Sequence, residues 1–104
     1  MEIIRGTTPT IIVSIQTEID LSELSAAWVY ISQQGKVRVN KVLTDIEIDT
    51  DKKTLTIVLT QEDTLNLKAG IDTLFQIRLR LNNTALATTA TKIVVKEIYK
   101  EGII

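Results

Sequence analysis

The strongest constraint on this chain is a strict alternation of apolar and polar residues near its C-terminal third. Only an extended strand places successive side chains on opposite sides, so this pattern predicts a β-strand over Ile71–Leu81 with one buried face. A strand with one apolar face needs neighbouring strands and a second layer to cover it. The apolar members are Phe75, Ile77, Leu79 and Leu81, and the polar members are Gln76, Arg78, Arg80 and Asn82.

The same period recurs along most of the 104 residues, in segments rich in Ile, Val and Thr. Such β-branched residues fit a pleated, half-buried surface better than a helix. Short strands separated by polar turns predict a single all-β domain over residues 1–104, an immunoglobulin-like β-sandwich of about seven strands. A small barrel is the alternative, since periodicity does not determine closure. The predicted strands are Thr10–Gln16, Ala26–Gln33, Lys36–Leu43, Asp45–Asp49, Thr54–Thr60, Ile71–Leu81 and Thr88–Tyr99.

One segment departs from the pattern, between Thr60 and Leu67. Thr60 is suited to cap a helix N-terminus, and Glu62 and Asp63 would lie in the first turn, where carboxylates are favourable. We therefore predict one short helical turn over Thr60–Leu67. Asp20–Ala26 is a second, more ambiguous candidate for such a turn.

The composition offers few groups for chemistry. The chain has no His and no Cys, which removes the commonest general base, metal ligand and thiolate nucleophile. Its 12 basic and 13 acidic residues are scattered, so nucleic-acid binding has little electrostatic support. We predict a protein that is not an enzyme, needs no cofactor or metal, and binds neither nucleic acid nor membrane. The apolar run Ala26–Ile31 is far shorter than a membrane span, and Met1–Arg5 opens no signal peptide.

The acidic residues between Glu47 and Asp51 allow two weaker hypotheses, a catalytic pair and a calcium site. Glu47 and Asp49 would project from one strand face about 6–7 Å apart, a spacing compatible in principle with glycoside hydrolysis. Their alternation with Ile46 and Ile48 instead favours an ordinary half-exposed strand. Asp49-Thr50-Asp51 offers oxygens for Ca²⁺ but lacks the glycine and distal glutamate of an EF-hand loop, so a polar hairpin turn is favoured.

Three features are candidates for a binding surface. The first is the polar stripe Gln76, Arg78 and Arg80, which is either an interaction surface or a solvated sheet face. The second is the pair Trp28 and Tyr30, which share a strand face; either they or their neighbour Val29 point into the core, and alternation alone does not decide. The third is the terminal pair Ile103 and Ile104, two apolar residues ending a polar segment, which would dock on the core or on another copy.

Short segments of the chain resemble small prophage proteins encoded among tail and baseplate genes. The nearest named family is the N-terminal domain of upper baseplate proteins from phages of Gram-positive bacteria. The stretch Leu59–Thr64 is similar to the L-T-x-E-D-T motif of these proteins. The other similar segments are Arg5-Gly6-Thr7-Thr8-Pro9, Gln76-Ile77-Arg78 and Glu101-Gly102-Ile103-Ile104.

This resemblance implies an immunoglobulin-like sandwich with a structural or assembly role in the virion. Other phage structural proteins would be its partners, it would form a homo-oligomer, and it would reside in the virion or the bacterial host cytoplasm. The chain departs from the family in lacking the helical and receptor-binding regions that follow such a domain, which favours an accessory or assembly protein. The resemblance supplies no active-site residues. A carbohydrate-binding module that uses Trp28 and Tyr30 is the alternative function.

Overall fold

A computed structural model describes residues 1–15, 20–88 and 90–98 of the chain, and within them nine strands form two sheets. One α-helix, α1 (Gln61–Leu65), and two 3-10 turns, Leu21–Glu23 and Leu43–Asp45, join strands. The strands are β1 (Glu2–Ile4), β2 (Thr10–Ser14), β3 (Leu24–Gln33), β4 (Lys36–Val42), β5 (Ile46–Asp49), β6 (Thr54–Val58), β7 (Thr73–Leu81), β8 (Thr84–Ala87) and β9 (Thr91–Lys96).

The two sheets have the strand arrangement of an immunoglobulin-like sandwich. The larger sheet has the order β1-β9-β7-β3-β4, with β8 beside the second half of β7, and the smaller sheet has the order β2-β6-β5. β1 runs parallel to β9, whereas the other neighbours are antiparallel. The smaller sheet matches the B-E-D strands of the immunoglobulin fold, and β9-β7-β3 match G-F-C. The predicted sandwich is confirmed, and the barrel alternative is wrong.

The core lies between the sheets and contains the residues that alternation placed inside. Ile77 and Leu79 of β7 pack with Val29 and Ile31 of β3, and all four are at most 2% exposed. The smaller sheet and the residues that flank it contribute five apolar side chains to the core: Ile11, Ile46, Leu55, Ile57 and Leu59. Trp28 and Tyr30 lie on the opposite face of β3 and are only half-buried.

Two sequence predictions about strands need correction. Alternation within the predicted strand Lys36–Leu43 places Val37 and Val39 on one face, but a register shift between Ile31 and Ser32 leaves Val39 3% exposed and Val37 55% exposed. The predicted last strand, Thr88–Tyr99, is observed as β9 over Thr91–Lys96, and Thr88 instead follows directly after the separate strand β8.

Thr88 continues the contact with β7 just beyond the end of β8. Ile77 N donates a 3.0 Å hydrogen bond to Thr88 Oγ1, and Thr88 N donates a 2.9 Å bond to Ile77 O. A hydroxyl thus replaces a backbone carbonyl as the acceptor at this point of the ladder. Gln76 Nε2 also donates to Thr88 O, at 2.9 Å, which holds Thr88 against β7.

The predicted helical turn is confirmed in a shorter form. Thr60 caps α1 with a reciprocal pair of bonds, from Asp63 N to Thr60 Oγ1 at 3.1 Å and from Thr60 N to Asp63 Oδ2 at 2.8 Å. Lys41 of β4 forms an ion pair with the same Asp63 oxygen at 2.7 Å. The turn predicted over Asp20–Ala26 is a 3-10 turn over Leu21–Glu23, after which β3 begins. No helix in the described residues has the length and apolarity that crossing a membrane requires.

Two segments that carry the family resemblance, Arg5–Pro9 and Leu59–Thr64, contact each other. Thr64 Oγ1 donates to Thr7 O at 2.9 Å and accepts from Gly6 N at 2.9 Å, and Leu59 N donates to Pro9 O at 3.0 Å. Thr64 is fully buried, so these bonds satisfy a polar group inside the domain. Both segments therefore serve to join the two sheets.

We predict that Leu79→Ala destabilises the protein by about 2–5 kcal/mol, because it leaves a cavity between the sheets. Arg78→Ala, one residue away on the exposed face, should cost less than about 1 kcal/mol. Urea denaturation followed by circular dichroism measures both values. Equal losses for the two variants would contradict the inside–outside assignment of β7.

A second prediction concerns Asp63. Partial burial raises its pKa, but the bonds from Lys41 and Thr60 outweigh this, and the pKa lies below its ordinary value of 3.8. A carboxylate whose pKa is lower in the folded state stabilises the fold when the solution pH is above its unfolded-state pKa. This contribution is lost as the pH falls through the folded-state pKa. Asp63→Asn should therefore cost about 0.5–1 kcal/mol at pH 7, and the difference from the wild type should shrink below pH 3.8.

Denaturant melts across this pH range measure the effect. Glu62→Gln is the matched control, because Glu62 is an exposed carboxylate of the same helical turn whose side chain has no partner among the described residues. A constant difference between Asp63→Asn and the wild type down to the lowest pH would refute the assignment.

Candidate functional site

The outer face of the larger sheet brings together two groups of residues that the sequence suggested separately. Trp28 lies directly opposite Arg78 across the β3–β7 ladder, and Tyr30 lies opposite Gln76. Arg80 is the next outward residue of β7 and pairs with Ala26. We call this surface the aromatic–arginine face; it is defined by Trp28, Tyr30, Gln76, Arg78 and Arg80.

The two aromatic residues lie on this face because smaller β-branched residues fill the core beneath them. Val29 and Ile31 are 0% exposed and pack against the smaller sheet. In antibody domains the equivalent strand places a Trp inside, against a disulfide. This chain has no Cys, and Val29 occupies the interior next to Trp28. The single Trp is therefore on the outer surface of the sheet.

Charge on the larger sheet is strongly one-sided. Its described strands contain a single acidic residue, Glu2 of β1. Arg78 and Arg80 are exposed, and neither guanidinium has an ion-pair or hydrogen-bond partner among the described residues. The same strands contain seven basic residues: Lys36, Arg38, Lys41, Arg78, Arg80, Lys92 and Lys96.

Exposed aliphatic residues surround the aromatic–arginine face. Val42 pairs with Trp28 on the β4 side, and Leu74 precedes Gln76 by two positions on β7. Both are about 40% exposed, at 39% and 40% respectively. The large hydrophobic residues with outward positions on this sheet are Ile4, Val37, Val42, Leu74 and Val94. Aromatic, Arg and aliphatic side chains together are the composition typical of the centre of a protein–protein interface.

A shallow hollow of about 290 Å³ lies beside Trp28. Its walls are the two arginines and the turn between β7 and β8, including Asn83 and Thr84. Ala85 of β8 also lines the hollow. Because its side chain is small, it leaves space beside Trp28 and the two arginines. The hollow accommodates a side chain or one sugar ring in size.

The outer face of the smaller sheet has the opposite charge. Its strands contain Glu47 and Asp49 and no basic residue. Both carboxylates border an open groove of about 760 Å³ whose floor includes Ile12, Thr54 and Thr56. We call this surface the acidic face; it is defined by Ile12, Glu47, Asp49, Thr54 and Thr56.

Asp49 has a local structural role. Its Oδ1 accepts hydrogen bonds from Asp51 N at 3.1 Å and Lys52 N at 3.0 Å, which closes the turn between β5 and β6. This arrangement favours the polar hairpin over a calcium loop. The described residues contain no group of three or more His, Cys, Asp or Glu side chains arranged to hold a metal ion.

The structure brings five of the seven predicted interaction residues onto one surface, whereas the sequence named them as separate features. Ile103 and Ile104, the other two, lie outside the described residues. Val42 and Leu74 were missed as members of this surface, although alternation places Leu74 on the same strand face as Gln76 and Val42 on the face opposite Val39. Their position beside the two aromatic residues depends on strand pairing, which alternation does not reveal.

No family model matches this chain, and no curated protein matches it with significance.

The position of Trp28 predicts how its fluorescence responds to quenchers. The anion iodide should quench Trp28 more efficiently than the cation caesium, because Arg78 and Arg80 raise the local concentration of anions. Stern–Volmer measurements at constant ionic strength test this, since the chain has one Trp. Arg78→Glu should reduce or reverse the preference, whereas Lys68→Glu, on the exposed α1–β7 connection, should leave it unchanged. Equal quenching by both ions in the wild type would contradict the described face.

Proposed function

We propose that this protein is a non-enzymatic structural or assembly module of a phage or prophage virion. It acts through protein–protein contacts in the tail or baseplate region, and its aromatic–arginine face is the contact surface. The observation that carries the proposal is the alignment of Trp28 with Arg78 and of Tyr30 with Gln76 on one outer sheet face. These residue types concentrate binding energy at interfaces.

The physical character of the face supports a protein partner. Trp28 and Tyr30 are already held by their strand, so they lose little conformational freedom on binding. Guanidinium groups are weakly hydrated, and their planar donors recognise carboxylates and backbone carbonyls. A standard interface buries about 800 Å² on each partner, a modest share of the 6680 Å² that the chain exposes.

The assignment to a virion is supported by the sequence resemblance to prophage tail and baseplate proteins. The matching segments Arg5–Pro9 and Leu59–Thr64 pack together and join the sheets. They support a shared fold, and the outer face supports the function. The virion or the host cytoplasm is the corresponding proposed location.

Carbohydrate binding is the second candidate, and it is favoured by the hollow beside Trp28. An aromatic ring flanked by Arg78, Arg80 and Asn83 offers stacking together with polar donors. A glycan in this hollow should shift the emission of the single Trp. A titration with cell-wall glycans of the host bacterium that leaves the emission unchanged would remove this candidate.

The proposal is tested by co-expression with the tail proteins encoded beside the gene, followed by size-exclusion chromatography and calorimetry. The wild type should form a complex with one of them. Truncating both Trp28 and Arg78 to Ala should weaken that complex at least about 30-fold, the effect of losing about 2 kcal/mol of interface energy.

Glu62→Ala, an exposed position on α1 outside the aromatic–arginine face, is the control and should bind like the wild type. Circular dichroism confirms that each variant is folded. A complex that forms equally well with the double variant would contradict the proposed surface, and no complex with any neighbouring tail protein would contradict the proposed role.

A further inference from the structure

We infer that the aromatic–arginine face binds the acidic face of a second copy of this chain, so that copies stack head to tail. This inference rests on the proposed function and specifies one partner of the same surface. The geometry points to it because the two faces lie on opposite sheets of the sandwich and complement each other in charge, spacing and apolar content.

The charge division between the sheets is the first argument. The net charge of the chain is −1, so the polarity arises from placement and not from composition. The described strands of the larger sheet contain one acidic residue, Glu2, and those of the smaller sheet contain no basic residue. Complementary patches of this kind steer association and fix orientation.

The spacing of the charges is the second argument. Arg78 and Arg80 are two residues apart on β7 and project outward, as do Glu47 and Asp49 on β5. Residues two apart on a strand lie about 6–7 Å from each other. Two guanidinium groups therefore match two carboxylates at one repeat, with Arg78 opposite Glu47 and Arg80 opposite Asp49. Arg–carboxylate pairs also allow bidentate hydrogen bonds.

Apolar side chains accompany the charges on both surfaces. Trp28 is in the same ladder row as Arg78, and Ile12 is in the same row as Glu47, across Thr56 of β6. Ile12 is 67% exposed, the highest value among the large hydrophobic residues of the described chain, and Val58 nearby is 53% exposed. Stacking would cover Ile12 with the aromatic side chains of the next copy. Lys52 borders the acidic groove and is the single basic residue among the groups that line it.

The contact is heterologous, since each copy contributes a different surface. If the rotation from one copy to the next closes a circle, such contacts form a ring. If it does not, they form a filament with one unused face at each end. Both outcomes are repeating assemblies. A second copy is the favoured occupant because one chain carries both complementary halves.

Charge reversal tests this arrangement by sedimentation velocity over a concentration series. The wild type should self-associate, and added salt should weaken the association. Arg78→Glu alone cancels the positive charge of the aromatic–arginine face and places a carboxylate opposite Glu47, and Glu47→Arg alone cancels the negative charge of the acidic face and places a guanidinium opposite Arg78. Each single variant should associate at least about tenfold more weakly than the wild type.

Restoration of complementarity provides the decisive measurement. A chain with both Arg78→Glu and Glu47→Arg again has opposite charges at each pair of facing positions and should recover self-association, as should an equimolar mixture of the two single variants. Lys68→Glu changes the net charge as much as Arg78→Glu does, but lies outside both faces, and should behave like the wild type. Asp49 is left intact because it closes a turn. Circular dichroism verifies the fold of each variant.

A wild type that remains monomeric at every concentration would overturn the inference, as would folded single variants whose double combination stays monomeric. If heparin, a polyanion probe, bound the arginines of a strictly monomeric protein, the stack would likewise be excluded. The proposed function would survive these results if Arg78→Glu still abolished the complex with a tail protein. Conversely, self-association that follows the charge pattern, with no tail protein bound, would support the stack and contradict the proposed function.

Discussion

The antiparallel pairing of β3 with β7 is the interaction on which the rest of the structure depends. It extends from Leu24 opposite Leu81 to Gln33 opposite Thr73, the longest ladder in the described chain. Because side chains alternate across a sheet, one register places Val29 and Ile77 in the core and Trp28 and Arg78 outside. A slip of one residue would bury the arginines and expose the core. The hydrophobic effect that selects the register therefore also assembles the candidate site.

The ends of the sandwich are closed by buried polar groups that sequence periodicity does not reveal. Gln33 is 1% exposed, and its amide bonds to Lys68 O at 2.8 Å, Thr73 Oγ1 at 2.9 Å and Lys68 N at 3.0 Å. These bonds hold the connection that leads into β7 and satisfy a side chain that is expensive to bury alone.

Arg5 performs an equivalent function at the C-terminal end of α1, next to the same connection. Its Nε donates to Leu67 O at 2.7 Å and its Nη2 donates to Leu65 O at 3.0 Å, and it also pairs with Glu97 after β9. The hydrogen bond from Arg5 holds the pKa of Glu97 below its ordinary value. The sequence alone does not predict such bonds, because Arg5 and Glu97 are far apart in the chain and meet only in the folded protein.

The sequence predicted the layers of this fold better than its connections. Alternation identified the buried residues of β7 and β6 because a half-exposed strand has a simple period. It failed where a side chain or a bulge replaced the regular ladder, as at Thr88 and beside Val37. The three-residue strand β1 was missed because Glu2–Ile4 is too short to show a period. The candidate site was half predicted: its residues were named, but their convergence depends on register, which is a tertiary property.

The division of residue types between the two outer faces is compatible with both a folded free protein and the association that we propose. Exposed Trp28, Val42 and Leu74 alone would favour unspecific aggregation. Arg78 and Arg80 keep that surface hydrated in the free protein, yet their weakly hydrated guanidinium groups cost less to desolvate than lysine ammonium groups would. The carboxylates on β5 protect the edge of the smaller sheet in the same way, since charged edge strands resist pairing with other edges. Charge on β5 thus discourages edge-to-edge pairing of the smaller sheet, which is consistent with the face-to-face contact that we propose.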